Sequence, residues 1–187
     1  MAKSLKIAGM ERWPDYRRGS LTISQILTSQ VDNCSFAIKG AKPLEGSEVI
    51  IEDSALTEPR LFAGTIDRVE LVNYKAPLVW KVDCQDYTLQ MDKKLVVETY
   101  LGLSADAIVR DILLKYCPGF SAAGVASGAP VIESTGTEFN YKMPSECIKW
   151  LCDYIGWQWY VDYYKVVHFF DPAQMGTSAP MTLQAGG

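Results

Sequence analysis

The chain has 187 residues, 48% of them apolar and 21% charged, with a formal net charge of −4. This is the composition of a globular protein, and it lacks the basic footprint through which nucleic-acid binders neutralise phosphate. No apolar run is long enough to span a bilayer, and Met1-Ala2-Lys3-Ser4 is not followed by the apolar stretch of a secretory signal.

Ten Tyr, six Phe and five Trp supply large side chains for a core, each contributing roughly 1.5–3 kcal/mol when fully buried. The five cysteines, Cys34, Cys84, Cys117, Cys147 and Cys152, are odd in number and contain no CxxC. That argues against a disulfide framework and points to a reducing folding compartment.

Arg12, Arg17 and Arg18 open the chain and read as part of a solvated N-terminal arm, with Trp13 and Tyr16 as anchors for a neighbouring protein. Strands follow. Cys34, Phe36 and Ile38 alternate with Ser35, Ala37 and Lys39, and Val49 and Ile51 alternate with Glu48 and Glu52. Leu78, Trp80, Val82 and Cys84 alternate with Val79, Lys81, Asp83 and Gln85. Period-two patterning predicts a sheet with one buried face.

Between these, Phe62, Gly64 and Ile66 hold one phase while Val69 and Leu71 hold the other. The slip at Asp67-Arg68 predicts a β-bulge, and Gly64 predicts strong curvature, as in sheets that close into small barrels. Asn73 to Pro77 reads as a hairpin connection.

The second half changes period. Ser104 predicts a helix cap, and Ala105, Ile108, Ile112 and Tyr116 line one face, flanked by Val109 and Leu113. Pro118-Gly119 stops this helix. Ser121 to Pro130 reads as a loop, and Val131 to Tyr141 as extended. A second helix starts near Pro144-Ser145, carries Ile148, Leu151 and Ile155, and ends at Gly156. Trp157, Trp159 and Val161 then alternate, and after a turn at Tyr163-Tyr164 the chain returns from Lys165 to Phe170 as a second strand.

The reading is an α+β chain: an arm (1–19), an antiparallel β-barrel-like domain (20–97), and an α+β domain with two helices and a C-terminal β-hairpin (98–171). A linker or tail (172–187) follows, whose composition suggests that the chain is a piece of a longer protein.

No catalytic constellation emerges. His168 is the sole histidine and sits between Val167 and Phe169 in an apolar strand, without the convergent groups that metal or nucleophilic chemistry needs. Phosphate-binding glycine motifs, GxSxG and HExxH are absent. Glu48, Glu52, Asp53, Asp83 and Asp86 could pair as acid and base, but four of them lie in or beside alternating strands and read as a polar sheet face. Cys147 and Cys152 are five apart on the second helix and read as buried small apolar residues. The sequence therefore implies no catalytic residue, cofactor or metal. The aromatic group Trp157, Trp159, Tyr160, Tyr163 and Tyr164 reads as core or protein interface, with a sugar-binding platform as the alternative.

The order of motifs resembles a known family. Gly46-Ser47-Glu48-Val49-Ile50-Ile51 leads to Leu61-Phe62-Ala63-Gly64-Thr65-Ile66, then to Val82-Asp83-Cys84-Gln85-Asp86-Tyr87. Tyr100-Leu101-Gly102-Leu103-Ser104 follows, with the helix from Ala107 to Leu113, then Phe139-Asn140-Tyr141 and Gly156 to Asp162. This series, over roughly 20–171, is similar to the N-terminal half of bacteriophage tail baseplate hub proteins.

The resemblance implies a tail-tube-like first domain and a non-enzymatic virion subunit, assembled in the bacterial host cytoplasm. It further implies a trimeric ring in the full-length protein, joining the tail tube to tip and spike proteins, without sequence-specific nucleic-acid contacts or membrane insertion. Trp13, Tyr16, Tyr160, Tyr163 and Tyr164 are the candidate interface residues. Two other readings compete: a carbohydrate- or receptor-binding module, and the hub portion of a peptidoglycan hydrolase whose catalytic domain lies beyond Gly187. A secretion-machine spike hub is a variant of the first reading.

Overall fold

The computed structural model describes residues 3–24, 31–132 and 136–174. Its first unit is one antiparallel sheet in the order β2-β1-β5-β6-β7-β4-β3. The strands are β1 (Lys3–Ile7), β2 (Met10–Glu11), β3 (Thr22–Ser24), β4 (Asn33–Lys39), β5 (Glu48–Asp53), β6 (Arg60–Asn73) and β7 (Val79–Asp86). Leu5, Ile7, Cys34, Phe36, Ile38, Val49, Ile51, Phe62, Ile66, Val82 and Cys84 form its core, as the alternation predicts.

Two expectations are corrected here. The segment read as an arm begins with β1, which pairs along its length with β5 and buries Leu5 and Ile7. Trp13 and Tyr16 follow in a short 3₁₀ turn and pack, half-buried, on the same core. An antiparallel partner more than forty residues away makes β1, which the short Leu5/Ile7 alternation alone does not announce.

The barrel does not close. β2 and β3 are the two ends of the sheet and do not pair with each other. The chain instead crosses from one edge to the other through Tyr16, which bridges Ile38, and Arg17, whose N–H donates to Ala37 O at 2.9 Å.

β6 is the longest strand, and its register against β7 slips between Ile66 and Arg68, where the phase change predicts a bulge. β5 accompanies only its first half, as far as Thr65. A second slip lies between Leu71 and Asn73. A further correction concerns the start of β7. Leu78 lies outside β7 and is exposed, while Val79 is buried in its place.

After β7 come a one-turn helix α1 (Thr88–Met91), β8 (Val96–Tyr100), α2 (Ala105–Tyr116), β9 (Ser121–Val125), β10 (Thr137–Lys142), α3 (Pro144–Ile155), β11 (Gln158–Val161) and β12 (Val166–Phe170). β8 pairs with β10, and a three-stranded sheet runs β11-β12-β9. Both long helices bury the stripes read from the sequence, Ile108, Val109, Ile112 and Leu113 on α2 and Ile148 and Leu151 on α3.

Ser104 occupies the N-cap position of α2, but its hydroxyl makes no capping bond. The Ala105 N–H goes to Pro130 O at 3.0 Å instead. α3 is capped from outside. Asp92 accepts the Ser145 N–H at 3.0 Å and its hydroxyl at 2.6 Å, placing a carboxylate where the helix dipole favours it. Gly156 closes α3 in the left-handed conformation.

Ser121 to Val125, expected as loop, is a strand parallel to β12. Its small side chains give no alternation to read, and they permit close approach. A Cβ on Gly124 would sit 2.7 Å from the His168 ring. The second core gathers Met91, Val96, Tyr100, the helix stripes, Phe139, Trp159, Val167 and Phe169. It therefore reaches back before position 97. Of the tail, 175–187 lies outside the described residues.

Candidate functional site

The two cores meet where the β11–β12 turn lies on β5 and β6. Tyr163 packs against Phe62, with ring centroids 5.6 Å apart, and its hydroxyl donates to Asp32 Oδ2 at 2.9 Å. Arg60 on β6 donates to Tyr163 O at 2.9 Å, pairs with Glu52 at 3.5 Å, and lies 4.1 Å over the Tyr164 ring. Glu48 on β5 accepts from the Tyr87 hydroxyl at 2.7 Å and from Lys165 at 3.2 Å. Lys165 also lies 4.3 Å over the Tyr87 ring.

The Tyr87 hydroxyl and then Lys165 hold the Glu48 carboxyl below its ordinary value of 4.5. A depressed folded-state pKa contributes stability that is complete above the unfolded value and is lost as pH falls through the folded one. Acid unfolding followed by tryptophan fluorescence is therefore expected to begin below pH 4.5, and Glu48→Gln is expected to flatten that limb. Equal acid limbs in both proteins would refute the assignment.

The sheet edges differ in how they are finished. β2 and β3 are short ends of the first sheet. β9 is covered, because Arg110 on α2 donates to the carbonyls of Ala122, at 3.3 Å, and Val125, and approaches Ser127 Oγ at 3.5 Å. β11 has β12 on one side and no strand on the other among the described residues. Short or covered edges are how sheets restrict which neighbours add to them.

The five aromatic candidates do not form one surface. Trp13 and Tyr16 stack on each other at 4.9 Å against the first core, and Tyr16 Oη accepts the Leu21 N–H. Tyr160 stacks on His168 at 4.5 Å, nearly parallel, on the exposed side of the three-stranded sheet. Tyr163 and Tyr164 belong to the junction. Trp159 is buried and Trp157 packs on Phe169 at 5.0 Å, so these rings do not line up as a flat sugar platform.

The sequence reading missed Trp150 and Tyr154. They stack at 5.3 Å on the exposed side of α3, and Trp150 caps Phe139 edge-on at 5.8 Å. Their i, i+4 spacing on the polar side of the apolar stripe is the signal that marks them.

The candidate carboxylates each have a structural partner. Glu48 and Glu52 sit in the junction, Asp53 pairs with Lys3 at 3.5 Å, and Asp83 pairs with Lys81 at 3.1 Å. Asp86 is buried and accepts the N–H groups of Asp32 and Thr88. Burial raises its pKa against those bonds. His168 Nε2 lies 3.0 Å from Asp162 Oδ2. All five cysteines are buried and free, and burial pushes the Cys147 and Cys152 thiols up to about 12, so they stay protonated at neutral pH. A shallow depression of about 240 Å³ at the β6 bulge is lined by Thr22, Ser24, Asn33, Asp67, Asp83 and Gln85, among others. Among the described residues no cluster of His, Cys, Asp and Glu is arranged to hold a metal ion, and no helix is long and apolar enough to cross a membrane.

No family model matches the chain, and no curated protein matches it. Solved structures do. A 43 kDa tail protein of prophage MuSo2 from Shewanella oneidensis superposes with a TM-score of 0.68 at 12% identity, covering 89% of this chain and 53% of that one. Prophage tail protein gp18 from Listeria monocytogenes EGD-e gives 0.64 at 13% identity, covering 90% and 50%. The E. coli c3393 protein, a type VI secretion component structurally similar to the T4 tail proteins gp27 and gp5, gives 0.60 at 15%, covering 89% and 48%. The chain spans about half the length of these structures. The resemblance read from its ordered motifs holds at the level of architecture: the chain has the fold of phage and prophage tail proteins.

Proposed function

We propose that the chain is a structural subunit of a phage or prophage tail-tip hub, joining the tail tube to the tip apparatus as part of a ring. The observation that carries this reading is the fold shared with tail proteins, built here around a seven-stranded sheet whose two end strands have no outer partner among the described residues. Head-to-tail contacts through such edges are the means by which identical subunits close into rings. The ring is trimeric in the full-length protein, and its neighbours are the tube above and the spike proteins below. Assembly takes place in the bacterial cytoplasm, and the product resides in the virion tail.

On this reading the first unit is a tube-like domain, the second an α+β domain, and catalysis belongs to other polypeptides. Tyr160 and Tyr164, whose rings keep exposed faces, serve as interface anchors on the second unit, with Trp13 and Tyr16 on the first. Tyr163 acts indirectly by fixing the junction. The likeness to the E. coli secretion component supports one variant, in which the same ring crowns the spike of a secretion machine.

Light scattering and electron microscopy test the proposal, on the chain alone and on the polypeptide extended to the length of the structures it matches. Three-subunit rings with a central opening are expected of the extended form. A strict monomer, even beside its tube protein, would overturn it.

A further inference from the structure

The second half of β6 is an edge. β5 leaves β6 at Thr65, and no backbone group from Arg68 to Val72 bonds to any element but β7 among the described residues. Which groups point outward follows from the ladder. Gly40 N–H donates to Leu78 O, and Asp86 N–H donates to Asp32 O. The even-numbered residues of β7 therefore bond to β4, and its odd-numbered residues bond to β6. Asp83 and Lys81 face Arg68 and Glu70. The N–H and C=O of Val69 and Leu71 point away from β7 with no partner among the described residues; Val69 is largely covered and Leu71 partly exposed, so the row can take another strand from the Leu71 end.

Tyr74 is 81% exposed, Leu44 76% and Val72 49%, all at the same end of the sheet. Lys39, Lys42 and Lys75 are exposed there too, and none has an ion-pair partner among the described residues. Lys39 is in register with Val79, and Val79 with Asn73, so Lys39 lies about 10 Å across two strand spacings from β6. Lys42 leans over Trp80 at 5.9 Å. Arg17 and Arg18, also unpaired, extend the same end beyond β4. Against these five cations stand two unpaired carboxylates, Glu45 and Asp67. Glu70 is already paired with Arg68, and Asp15 with Arg12.

We propose that the overhanging half of β6 is a docking edge for an extended, acidic segment of a different protein, which adds as a strand beside Val69 and Leu71 and neutralises Lys39, Lys42 and Lys75. A second copy of the chain does not fit: it offers an edge with the same excess of cations and no acidic strand to neutralise Lys39, Lys42 and Lys75. An anionic membrane does not fit either, because apolar surroundings leave the outward N–H and C=O groups unpaired. The inference stands apart from the tail-hub reading, since any strand-donating partner satisfies it.

Fluorescence anisotropy with the whole chain tests it, using labelled eight-residue peptides of alternating Val-Glu or Val-Lys, a short DNA duplex and phosphatidylserine vesicles. The Val-Glu peptide should bind at least about tenfold tighter than Val-Lys, more so at low salt. Leu71→Pro removes an outward N–H without touching the β7 ladder, and should abolish that binding with the circular dichroism spectrum unchanged. The triple charge reversal Lys39→Glu, Lys42→Glu, Lys75→Glu leaves the backbone edge intact and should invert the preference. Equal binding of the two peptides would overturn the proposal. So would wild-type affinity in the charge-reversed protein, or capture of DNA or vesicles with neither peptide bound.

Discussion

Gly64→Ala is expected to destabilise the chain by about 3 kcal/mol or more, among the largest effects of any single methyl group in this protein. Gly64 lies in β6 where it faces Asp86 of β7. A Cβ there would sit 2.0 Å from Gln85 O and 2.8 Å from the Asp86 Cα. Both are backbone atoms of the central strand pair, so no rotamer change relieves the clash. The neighbouring strand must move, and with it Asp86, whose carboxylate orders Asp32 and Thr88. A thermal melt is expected to shift down by roughly 6–12 °C for a chain of this size. A melt unchanged from wild type would show that the strands do not approach so closely.

Phe62→Ala is expected to cost about 3–5 kcal/mol, the range for emptying a fully buried aromatic site. Phe62 has no exposed surface, and its ring also receives Tyr163 from the second unit. Its loss therefore opens a cavity in the first core and removes the apolar floor under the junction. Urea unfolding should show the midpoint falling, and the transition should broaden as the two units lose their coupling. Tyr163→Phe keeps the ring and removes the hydroxyl that donates to Asp32, so it serves as the control and is expected to cost far less. Comparable losses in the two variants would place the junction's strength in the hydroxyl instead.

The elements that were legible in the sequence are those whose pattern is local. The phase slip at Asp67 announces the bulge, and the spacing of Ile108, Ile112, Ile148 and Leu151 announces both long helices. What escaped depends on distant partners. β1 shows only Leu5 and Ile7, and takes its meaning from β5. β9 is Ser-Ala-Ala-Gly-Val, with no alternation, and is a strand because β12 lies beside it. Leu78 carries the alternation of Trp80 and Val82 one step past the start of β7, where the ladder has ended and the side chain turns to solvent.

The candidate site was legible in kind but not in arrangement. Tyr160, Tyr163 and Tyr164 are close in sequence, yet the strand and turn send them to different surfaces. The Arg60–Tyr163 hydrogen bond spans 103 positions and the Lys165–Glu48 ion pair 117, which no local pattern encodes. The order of motifs, by contrast, did carry the architecture, even where identity to the matched structures is as low as 12%.

Arg110 has a consequence beyond local geometry. A flat, uncharged run of Ser, Ala and Gly on the rim of a sheet is the kind of segment that seeds fibrils by templating copies of itself. By spending its donors on the carbonyls of that run, one guanidinium withholds the acceptors a growing stack would require. Wherever many copies of the chain crowd together, this keeps folding apart from precipitation.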